Sequence, residues 1–249
     1  SMPPKMVAAR QAEIAVSYQP SLMMDLENGL PLMRFGTLIN TPLNSLVVLE
    51  NGPIKKISDL KNKIIGFSVG GFEDILLSQM IKTAKLSLAD ITLVNVNFAL
   101  SPSLYSGQVD AVIGAFRNFE LNQMKLDKKP GRAFFPEDYG VPNYEELILI
   151  THPDYAEDER LKLFLSAINK ATEIIQKNPE YGWKKFVQYR PEELDTPLNK
   201  MAWRDTIPKL MYPAEKTDPK TWSDFNEFMI KNKLIKKSLP TENYLLNIK

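Results

Sequence analysis

The chain has 249 residues, 44% of them hydrophobic, which is enough to build one large or two modest α/β domains. Its 31 basic and 30 acidic residues nearly cancel, so no basic field favours nucleic acid as a partner. The lack of cysteine excludes disulfides, thiolate catalysis and cysteine-ligated metal sites. A single histidine excludes an HExxH zinc motif, and no Ser-His-Asp order is recognised around it.

Strands and helices alternate over the first two thirds of the sequence, and helices fill the remainder. The predicted strands cover residues 46–50, 64–68, 92–98 and 147–151, and two more lie within residues 11–17 and 108–114. The predicted helices cover residues 4–10, 21–28, 119–126, 158–177, 179–189, 192–206 and 219–232, with one more beginning near Phe72 and one ending near Gly107. No apolar run is long enough to cross a bilayer, and no signal peptide is recognised.

Two segments of the sequence resemble each other. Residues 11–17 and 108–114 each contain an acidic residue, a continuous apolar run and a small residue, and an aromatic residue follows (Tyr18 and Phe116). Continuous apolar runs are typical of strands buried on both faces of a parallel sheet. The second copy is preceded by a strand–helix–strand–helix unit, the first by one helix only. A βαβ unit needs roughly 30 or more residues, so we expect the first lobe to be truncated at its N-terminus.

The predicted architecture is two α/β lobes joined by two crossing segments. Residues 46–50 and 147–151, each beside proline or glycine, are predicted to carry the chain between the lobes. Lobe two then covers residues 52–142. Lobe one covers residues 1–51 and 143–249, and includes the C-terminal helices.

Polar residues follow two of the predicted strands, at the edge where open α/β sheets bind ligands. Gly70 and Gly71 lie between a strand and a helix, where backbone N–H groups can approach a ligand. The Lys-Ser/Thr of a phosphate loop is missing, and Glu73 in the first helical turn would repel an anion. Glu73 either contacts a ligand or only offsets the dipole of its own helix.

The second group follows the strand that ends near Phe116. Asn118 and Glu120 beside aromatic rings are suited to a flat, amine-bearing heterocycle, with the rings stacked on its faces and the carboxylate accepting its N–H groups. The alternative is that Glu120 is solvated in the next helix. Tyr18 holds the equivalent place in lobe one, and Asn44 precedes a predicted crossing strand. The single histidine, His152, is expected at the surface rather than in catalysis.

A family resemblance rests on two segments, residues 41–77 and 95–123. They contain GFSVGGFED (residues 66–74) and GAFRNFELNQ (residues 114–123), and this combination is far more specific than either glycine pair alone. Both segments resemble the NMT1/THI5-like family, and within it the ThiY-like group of pyrimidine-precursor-binding components of bacterial ABC importers. The similarity runs from about residue 4 to residue 153 and continues more weakly through the C-terminal helices.

The resemblance implies the type II periplasmic-binding-protein fold and a ligand of the formylaminopyrimidine or hydroxymethylpyrimidine type. It also implies an ABC transporter permease as partner and no cofactor. By this resemblance, the protein would be periplasmic, or on the exterior of the membrane, if a leader was removed. It would be cytoplasmic if Met2 is the true start. Family members open with a Trp-Asn-His type motif that this sequence lacks. The eukaryotic synthases of the family use a histidine in that region and a Cys-rich iron segment, and neither is present here.

Three hypotheses follow. The first is a non-enzymatic solute-binding protein, with stacking by Tyr18 and Phe116 and polar recognition by Asn44, Glu73, Asn118 and Glu120. The second is an enzyme of pyrimidine synthesis, against which the missing histidine and cysteines argue. The third is a truncated relative with little ligand affinity, in which a homodimer covers the exposed sheet edge of lobe one.

Overall fold

The computed structural model describes residues 2–248, which form eight strands and ten α-helices. The strands are β1 (Ile14–Ser17), β2 (Met33–Ile39), β3 (Asn44–Leu49), β4 (Ile64–Phe67), β5 (Thr92–Asn95), β6 (Ala111–Phe116), β7 (Gly131–Phe134) and β8 (Leu147–Thr151). The helices are α1 (Met2–Ala8), α2 (Gln19–Glu27), α3 (Phe72–Lys82), α4 (Leu100–Tyr105), α5 (Glu120–Leu126), α6 (Glu159–Lys177), α7 (Pro179–Tyr189), α8 (Pro191–Leu194), α9 (Pro197–Thr206) and α10 (Pro219–Lys231). No helix in this range is long and apolar enough to cross a membrane.

The chain divides into two compact units. Unit 1 contains the described residues up to Pro42, Pro142–Pro191, and those from Thr206 onward. Unit 2 contains Leu43–Val141 and Glu192–Asp205.

These limits differ from the sequence-based boundaries at two places. Residues 43–51 and 192–205 were assigned to lobe one, but both segments lie in unit 2. The strand β3 is not a crossing segment, because it pairs with β6 on one side and β7 on the other, both within unit 2. Its continuous apolar run is that of a central strand, which sequence alone does not distinguish from a crossing one. The strand β8 likewise belongs to the sheet of unit 1.

Unit 2 is built on a five-stranded sheet in the order β5-β4-β6-β3-β7. The strands β4, β5 and β6 are parallel, and β3 runs antiparallel to β6 and β7. A buried apolar cluster of α4, α5 and sheet residues holds the helices on this sheet; its members include Val47, Leu104, Val112, Ala115 and Met124. The carboxyl ends of β4, β5 and β6 therefore meet the start of β3 at one edge of the sheet, which we call the carboxyl edge.

Unit 1 is built on a three-stranded antiparallel sheet in the order β1-β8-β2. The long helix α6 packs on it through buried leucines that recur at helical spacing, Leu161 and Leu165, against Phe35 and Leu149. Asp158 caps this helix by accepting a hydrogen bond from the Arg160 N–H at 2.9 Å.

A fully buried arginine ties the C-terminal part of unit 1 to this sheet. Arg34 on β2 has no exposed surface, and its guanidinium donates to the carbonyl oxygens of Glu215 at 2.9 Å and Lys216 at 2.7 Å. Glu145, only 4% exposed, balances the charge at 3.5 Å and also accepts from the Thr217 hydroxyl at 2.8 Å. Burial lowers the pKa of Arg34, and the neighbouring carboxylate opposes that shift. The network is satisfied on both sides, as buried charges require.

The two sheets repeat one three-stranded pattern, in agreement with the internal resemblance in the sequence. The antiparallel order β6-β3-β7 in unit 2 matches β1-β8-β2 in unit 1, so β1 corresponds to β6. The backbone N–H that follows each strand confirms the match: Arg117 donates to the Leu43 carbonyl oxygen at 2.9 Å, and Gln19 donates to the Glu145 carbonyl oxygen at 3.2 Å. Within residues 2–248, β4 and β5 have no counterpart in unit 1.

Two local expectations about the C-terminal half were wrong. The predicted helix over residues 192–206 is broken into α8 and α9, because Pro197 cannot continue the preceding turn and starts a new helix instead. His152 is not at the surface but only 6% exposed, and its Nδ1 accepts a hydrogen bond from the Asp154 N–H at 3.1 Å. It caps a short turn after β8.

Candidate ligand site

A β-bulge shapes the centre of the carboxyl edge. The register between β3 and β6 shifts between Ser45 and Leu46, which leaves Gly114 without a partner residue on β3. Its φ of +102° is accessible to glycine and costly for other residues. The side chain of Asn44 replaces the missing strand partner, because its Oδ1 accepts a hydrogen bond from the Gly114 N–H at 3.0 Å. Asn44 is thus a buried structural residue of this edge, with 1% exposure.

The carboxylate of Glu73 lies directly over this bulge. A Cβ added at Gly114 would come within 2.6 Å of Glu73 Cδ and 2.7 Å of Oε2, so the absence of a side chain there makes room for the carboxylate. Glu73 is 4% exposed, and its Oε2 accepts hydrogen bonds from the backbone N–H groups of Ser68 at 2.7 Å and Val69 at 3.0 Å. Glu73 therefore joins the glycine turn after β4 to the centre of the sheet.

The glycine turn carries its own negative charges. Gly71, with φ of +87°, precedes α3 and donates its N–H to Asp74 Oδ2 at 3.1 Å. Together with the two amides bound by Glu73, three N–H groups at this helix start are taken by acidic side chains. The helix dipole is thus offset internally, as the alternative interpretation of Glu73 proposed. Gly70 and Gly71 are both exposed, and the acidic side chains beside them disfavour an anion at this turn.

The loop after β6 brings Phe116, Asn118 and Glu120 to the same edge. Glu120 Oε2 accepts a hydrogen bond from the Phe116 N–H at 2.6 Å, which folds the loop back on the strand end. Burial raises the pKa of the Glu120 carboxyl, and the hydrogen bond from Phe116 opposes this shift. The side chain of Glu120 is partly buried, so it is not the fully solvated residue of the alternative interpretation. Asn118 is 8% exposed, and its carbonyl oxygen accepts from Asn122 Nδ2 at 3.0 Å.

Arg117 holds this loop in place from the other side. Its guanidinium forms a two-pronged ion pair with Glu137, donates to the Asn44 carbonyl oxygen at 3.0 Å and stacks 4.0 Å from the centre of the Phe135 ring. The planar guanidinium is suited to such combined contacts. Arg117 therefore supports the position of Phe116 and Asn118.

Sequence reasoning missed Phe98, in the turn after β5. Its side chain is 75% exposed, and its φ of +67° is strained for a bulky residue. Asn97 before it has φ of +47° and donates its N–H to Asn95 Oδ1, while the Phe98 N–H donates to Ser68 Oγ at 3.1 Å. An aromatic ring that is both strained and exposed contributes little to a core. Its place after a parallel strand was the available signal, but residues 92–98 were read as one strand.

The carboxyl edge of unit 2 brings together seven of the eight residues selected from the sequence: Asn44, Gly70, Gly71, Glu73, Phe116, Asn118 and Glu120. Tyr18 lies in unit 1, at the end of β1, where it is half-buried and precedes α2. It corresponds to Phe116 by the match between β1 and β6. No group of three metal-ligating side chains occurs within residues 2–248.

Sequence comparison places this arrangement in a family. The model of the family described as NMT1/THI5 like matches residues 1–181. The chain belongs to the NMT1/THI5-like family. A protein of Haemophilus influenzae named for thiamine biosynthesis is 50% identical over 248 residues, which cover 100% of this chain and 79% of that protein.

Two further relatives carry names that state an activity. The formylaminopyrimidine-binding protein of Halalkalibacterium halodurans is 28% identical, over 86% of this chain and 65% of that protein. The 4-amino-5-hydroxymethyl-2-methylpyrimidine phosphate synthase of Schizosaccharomyces pombe is 26% identical, over 66% of this chain and 50% of that protein. The chain thus spans less than two thirds of the length of both proteins.

Solved structures confirm the fold class. The alkanesulfonate-binding protein SsuA of Xanthomonas axonopodis matches with a TM-score of 0.73 at 17% identity, over 98% of this chain and 81% of that one. At this identity the match concerns the fold alone. The α/β fold is that of type II periplasmic binding proteins, as the family resemblance implied.

Proposed function

We propose that this protein is a non-enzymatic solute-binding protein for a thiamin pyrimidine precursor of the formylaminopyrimidine or hydroxymethylpyrimidine type. One observation carries the proposal: acidic and aromatic side chains, Glu73, Glu120, Phe116 and Phe98, converge on the carboxyl edge of unit 2. This convergence occurs in a family in which a relative is named for binding formylaminopyrimidine.

The chemistry of the edge suits an aminopyrimidine. A flat ring with an exocyclic amine offers two faces for stacking and N–H donors along its rim. Phe116 and Phe98 supply aromatic surface next to the strand ends, and Glu120 supplies a partly buried acceptor. Because burial disfavours the charged carboxylate, an N–H donor from a ligand stabilises it more than water does in the free site.

The asparagine and glycine residues of the carboxyl edge position its backbone and its carboxylates. Asn44 and Gly114 fix the bulge under Glu73, so the acceptors are held before any ligand arrives. Asn118 lies in the loop that Arg117 anchors, and the exposed Gly70 and Gly71 let a ligand approach the backbone. In unit 1, Tyr18 holds the place that Phe116 holds in unit 2, and we retain it as a second stacking residue.

The proposal extends to transport. The fold is shared with a periplasmic sulfonate-binding protein and with the ligand-binding component of an ABC-type import system. This likeness supports the proposal that the protein delivers its ligand to the permease of an ABC importer and lies outside the cytoplasmic membrane. The proposed binding needs no cofactor, and the balanced charge offers nothing to nucleic acid.

The second candidate function is pyrimidine-phosphate synthesis, favoured by the names of fungal relatives. This sequence has no cysteine and one histidine. His152 is buried as the cap of a turn in unit 1. A synthase would therefore need other residues for the role of the family's histidine.

A thermal-shift panel tests the proposal. Formylaminopyrimidine and hydroxymethylpyrimidine should raise the melting temperature of the wild-type protein, because a ligand that binds only the folded state stabilises it. An alkanesulfonate should not. The Glu120→Gln variant should lose most of the shift. Glu159→Gln is the matched control, since Glu159 is likewise the first residue of a helix but lies on α6 of unit 1.

Two outcomes would contradict the proposal. One is a shift with the sulfonate and none with either pyrimidine. The other is formation of pyrimidine phosphate when iron and pyridoxal phosphate are supplied, which would favour the synthase.

A further inference from the structure

The turn between β5 and α4 contains two consecutive residues in the left-handed conformation. Asn97 has φ of +47° and Phe98 has φ of +67°, and neither is glycine. A Cβ makes this region of backbone conformation unfavourable, and a bulky residue such as phenylalanine is rarely found there. Such strain persists only where the surrounding structure fixes it. Specific contacts must therefore hold Phe98 in this conformation.

Two side chains hold the turn. Asn95, the last residue of β5, accepts a hydrogen bond from the Asn97 N–H through its Oδ1 at 2.8 Å, as in an Asx turn. Ser68, the first residue after β4, accepts a hydrogen bond from the Phe98 N–H through its Oγ at 3.1 Å. Because β4 and β5 are neighbouring parallel strands, this second bond fixes the turn to the adjacent strand end.

Ser68 is itself fixed by the candidate site. Its backbone N–H donates to Glu73 Oε2 at 2.7 Å, and that carboxylate lies over the bulge at Gly114. Ser68 thus binds an acidic residue of the carboxyl edge through its amide and an aromatic residue, Phe98, through its hydroxyl. All four residues lie within unit 2. Loss of the hydroxyl would release Phe98 and leave the bond to Glu73 in place, since that bond uses only the backbone of Ser68.

A turn that only connects a strand to a helix has no need of phenylalanine at this position. Glycine adopts a positive φ without strain. The side chain of Phe98 is largely exposed, so burial within unit 2 does not offset the strain. The conformation instead sets the direction in which the aromatic ring leaves the backbone at the carboxyl edge.

We propose that Ser68 is a positioning residue for ligand binding. Its hydroxyl holds Phe98 in the left-handed conformation, so that the ring is a preformed stacking surface for a planar heterocycle. A surface that is ordered before binding lowers the entropic cost of ordering it in the complex. This inference rests on the proposed function, because it assigns Ser68 a role in the same site.

Amide hydrogen exchange followed by NMR tests the bond without any ligand. The Phe98 amide should exchange roughly 2–13-fold faster in Ser68→Ala than in wild type, the range that corresponds to one ordinary hydrogen bond. Ser68→Thr keeps the hydroxyl and should restore the wild-type rate. Ser106→Ala is the matched control and should leave the Phe98 amide unchanged. The Ser106 Oγ also accepts a backbone N–H, that of Gln108 at 3.4 Å, but it lies at the other end of α4.

Calorimetry with formylaminopyrimidine and hydroxymethylpyrimidine tests the role of Ser68 in binding. Ser68→Ala should weaken binding by no more than the loss of the Phe98 ring does, roughly 2–13-fold. Ser68→Thr and Ser106→Ala should bind as wild type does. In the Phe98→Ala background, Ser68→Ala should cause no further loss, because no ring is left to position. A merely structural role of Ser68 would weaken binding equally in both backgrounds.

The outcomes separate the positioning role from the proposed function. If wild type binds a pyrimidine but Ser68→Ala binds it equally well, or if the losses in the double variant add, the positioning role is overturned and the proposed function stands. Equal exchange of the Phe98 amide in wild type and Ser68→Ala would also overturn the positioning role. If wild type binds neither pyrimidine, the proposed function fails, and the stacking role of Phe98 fails with it.

Discussion

The substitution Gly114→Ala tests how the carboxyl edge holds the carboxylate of Glu73. Alanine at this bulge must adopt φ of +102°, and its Cβ would lie 2.6 Å from Glu73 Cδ. The carboxylate then has to leave its position, and the hydrogen bonds that it accepts from the Ser68 and Val69 amides are lost. The substitution therefore combines backbone strain with the loss of charged hydrogen bonds.

Gly107 in the same unit supplies the matched control. It also has a positive φ, +72°, but nothing lies within 4 Å of a Cβ added there. Gly107→Ala should lower the free energy of unfolding by about 1–2 kcal/mol, the cost of a left-handed conformation. Gly114→Ala should lower it by about 3–5 kcal/mol, because a hydrogen bond to a charged group adds about 1.5–3 kcal/mol. The difference between the two variants measures the contact with Glu73.

Urea denaturation followed by circular dichroism measures both variants against wild type in the same buffer. Gly114→Ala should also weaken ligand binding, whereas Gly107→Ala should leave it unchanged. Equal losses of stability in the two variants would refute the reasoning, because the carboxylate of Glu73 would then not depend on the space at Gly114.

Three further predictions concern other parts of the molecule. Burial raises the pKa of the Glu120 carboxyl above 4.5. The stability contributed by its protonated form is therefore fully present below pH 4.5 and is lost as the pH rises through the folded-state pKa. Glu120→Gln should gain stability relative to wild type between pH 4.5 and neutrality, measured by denaturation at several pH values. Phe98→Ala should weaken pyrimidine binding by roughly 2–13-fold in calorimetry, since an aromatic pair adds about 0.5–1.5 kcal/mol. Tyr189→Ala, at a similarly exposed position, should not weaken it. Arg34→Met should lower the free energy of unfolding by about 3–5 kcal/mol in thermal denaturation, because it leaves the buried carboxylate of Glu145 without its cation. Arg160→Met at the surface should leave the stability close to that of wild type.

The alternation of strands and helices was readable from the sequence because apolar periodicity is a local signal. The strand β8 coincides with its predicted range, and β1, β4 and β6 begin and end within three residues of the predicted segments. The strands β2 and β7 were missed. β2 carries Arg34, Gly36 and Thr37 among its apolar residues and pairs with β8 through two register shifts, so its pattern is not that of a regular strand.

The place of a residue in the candidate site was predictable, but its hydrogen bonds were not. Because Glu73 and Glu120 both follow predicted strands, the sequence predicted that they lie at the same edge of the sheet. The sequence does not show that each carboxylate first binds amides of its own loop, because that depends on the side-chain conformation. The bulge at Gly114 can be seen in the sequence when the two similar segments are compared. Tyr18 directly follows segment 11–17, whereas Ala115 separates Phe116 from the end of segment 108–114. The extra residue is the one that the bulge accommodates.

Isothermal titration of the wild-type protein with formylaminopyrimidine and hydroxymethylpyrimidine tests the central claim most directly. The account predicts saturable binding of at least one of these pyrimidines with one ligand per chain, and no binding of an alkanesulfonate. Saturable binding of the sulfonate, with no heat from either pyrimidine, would contradict it.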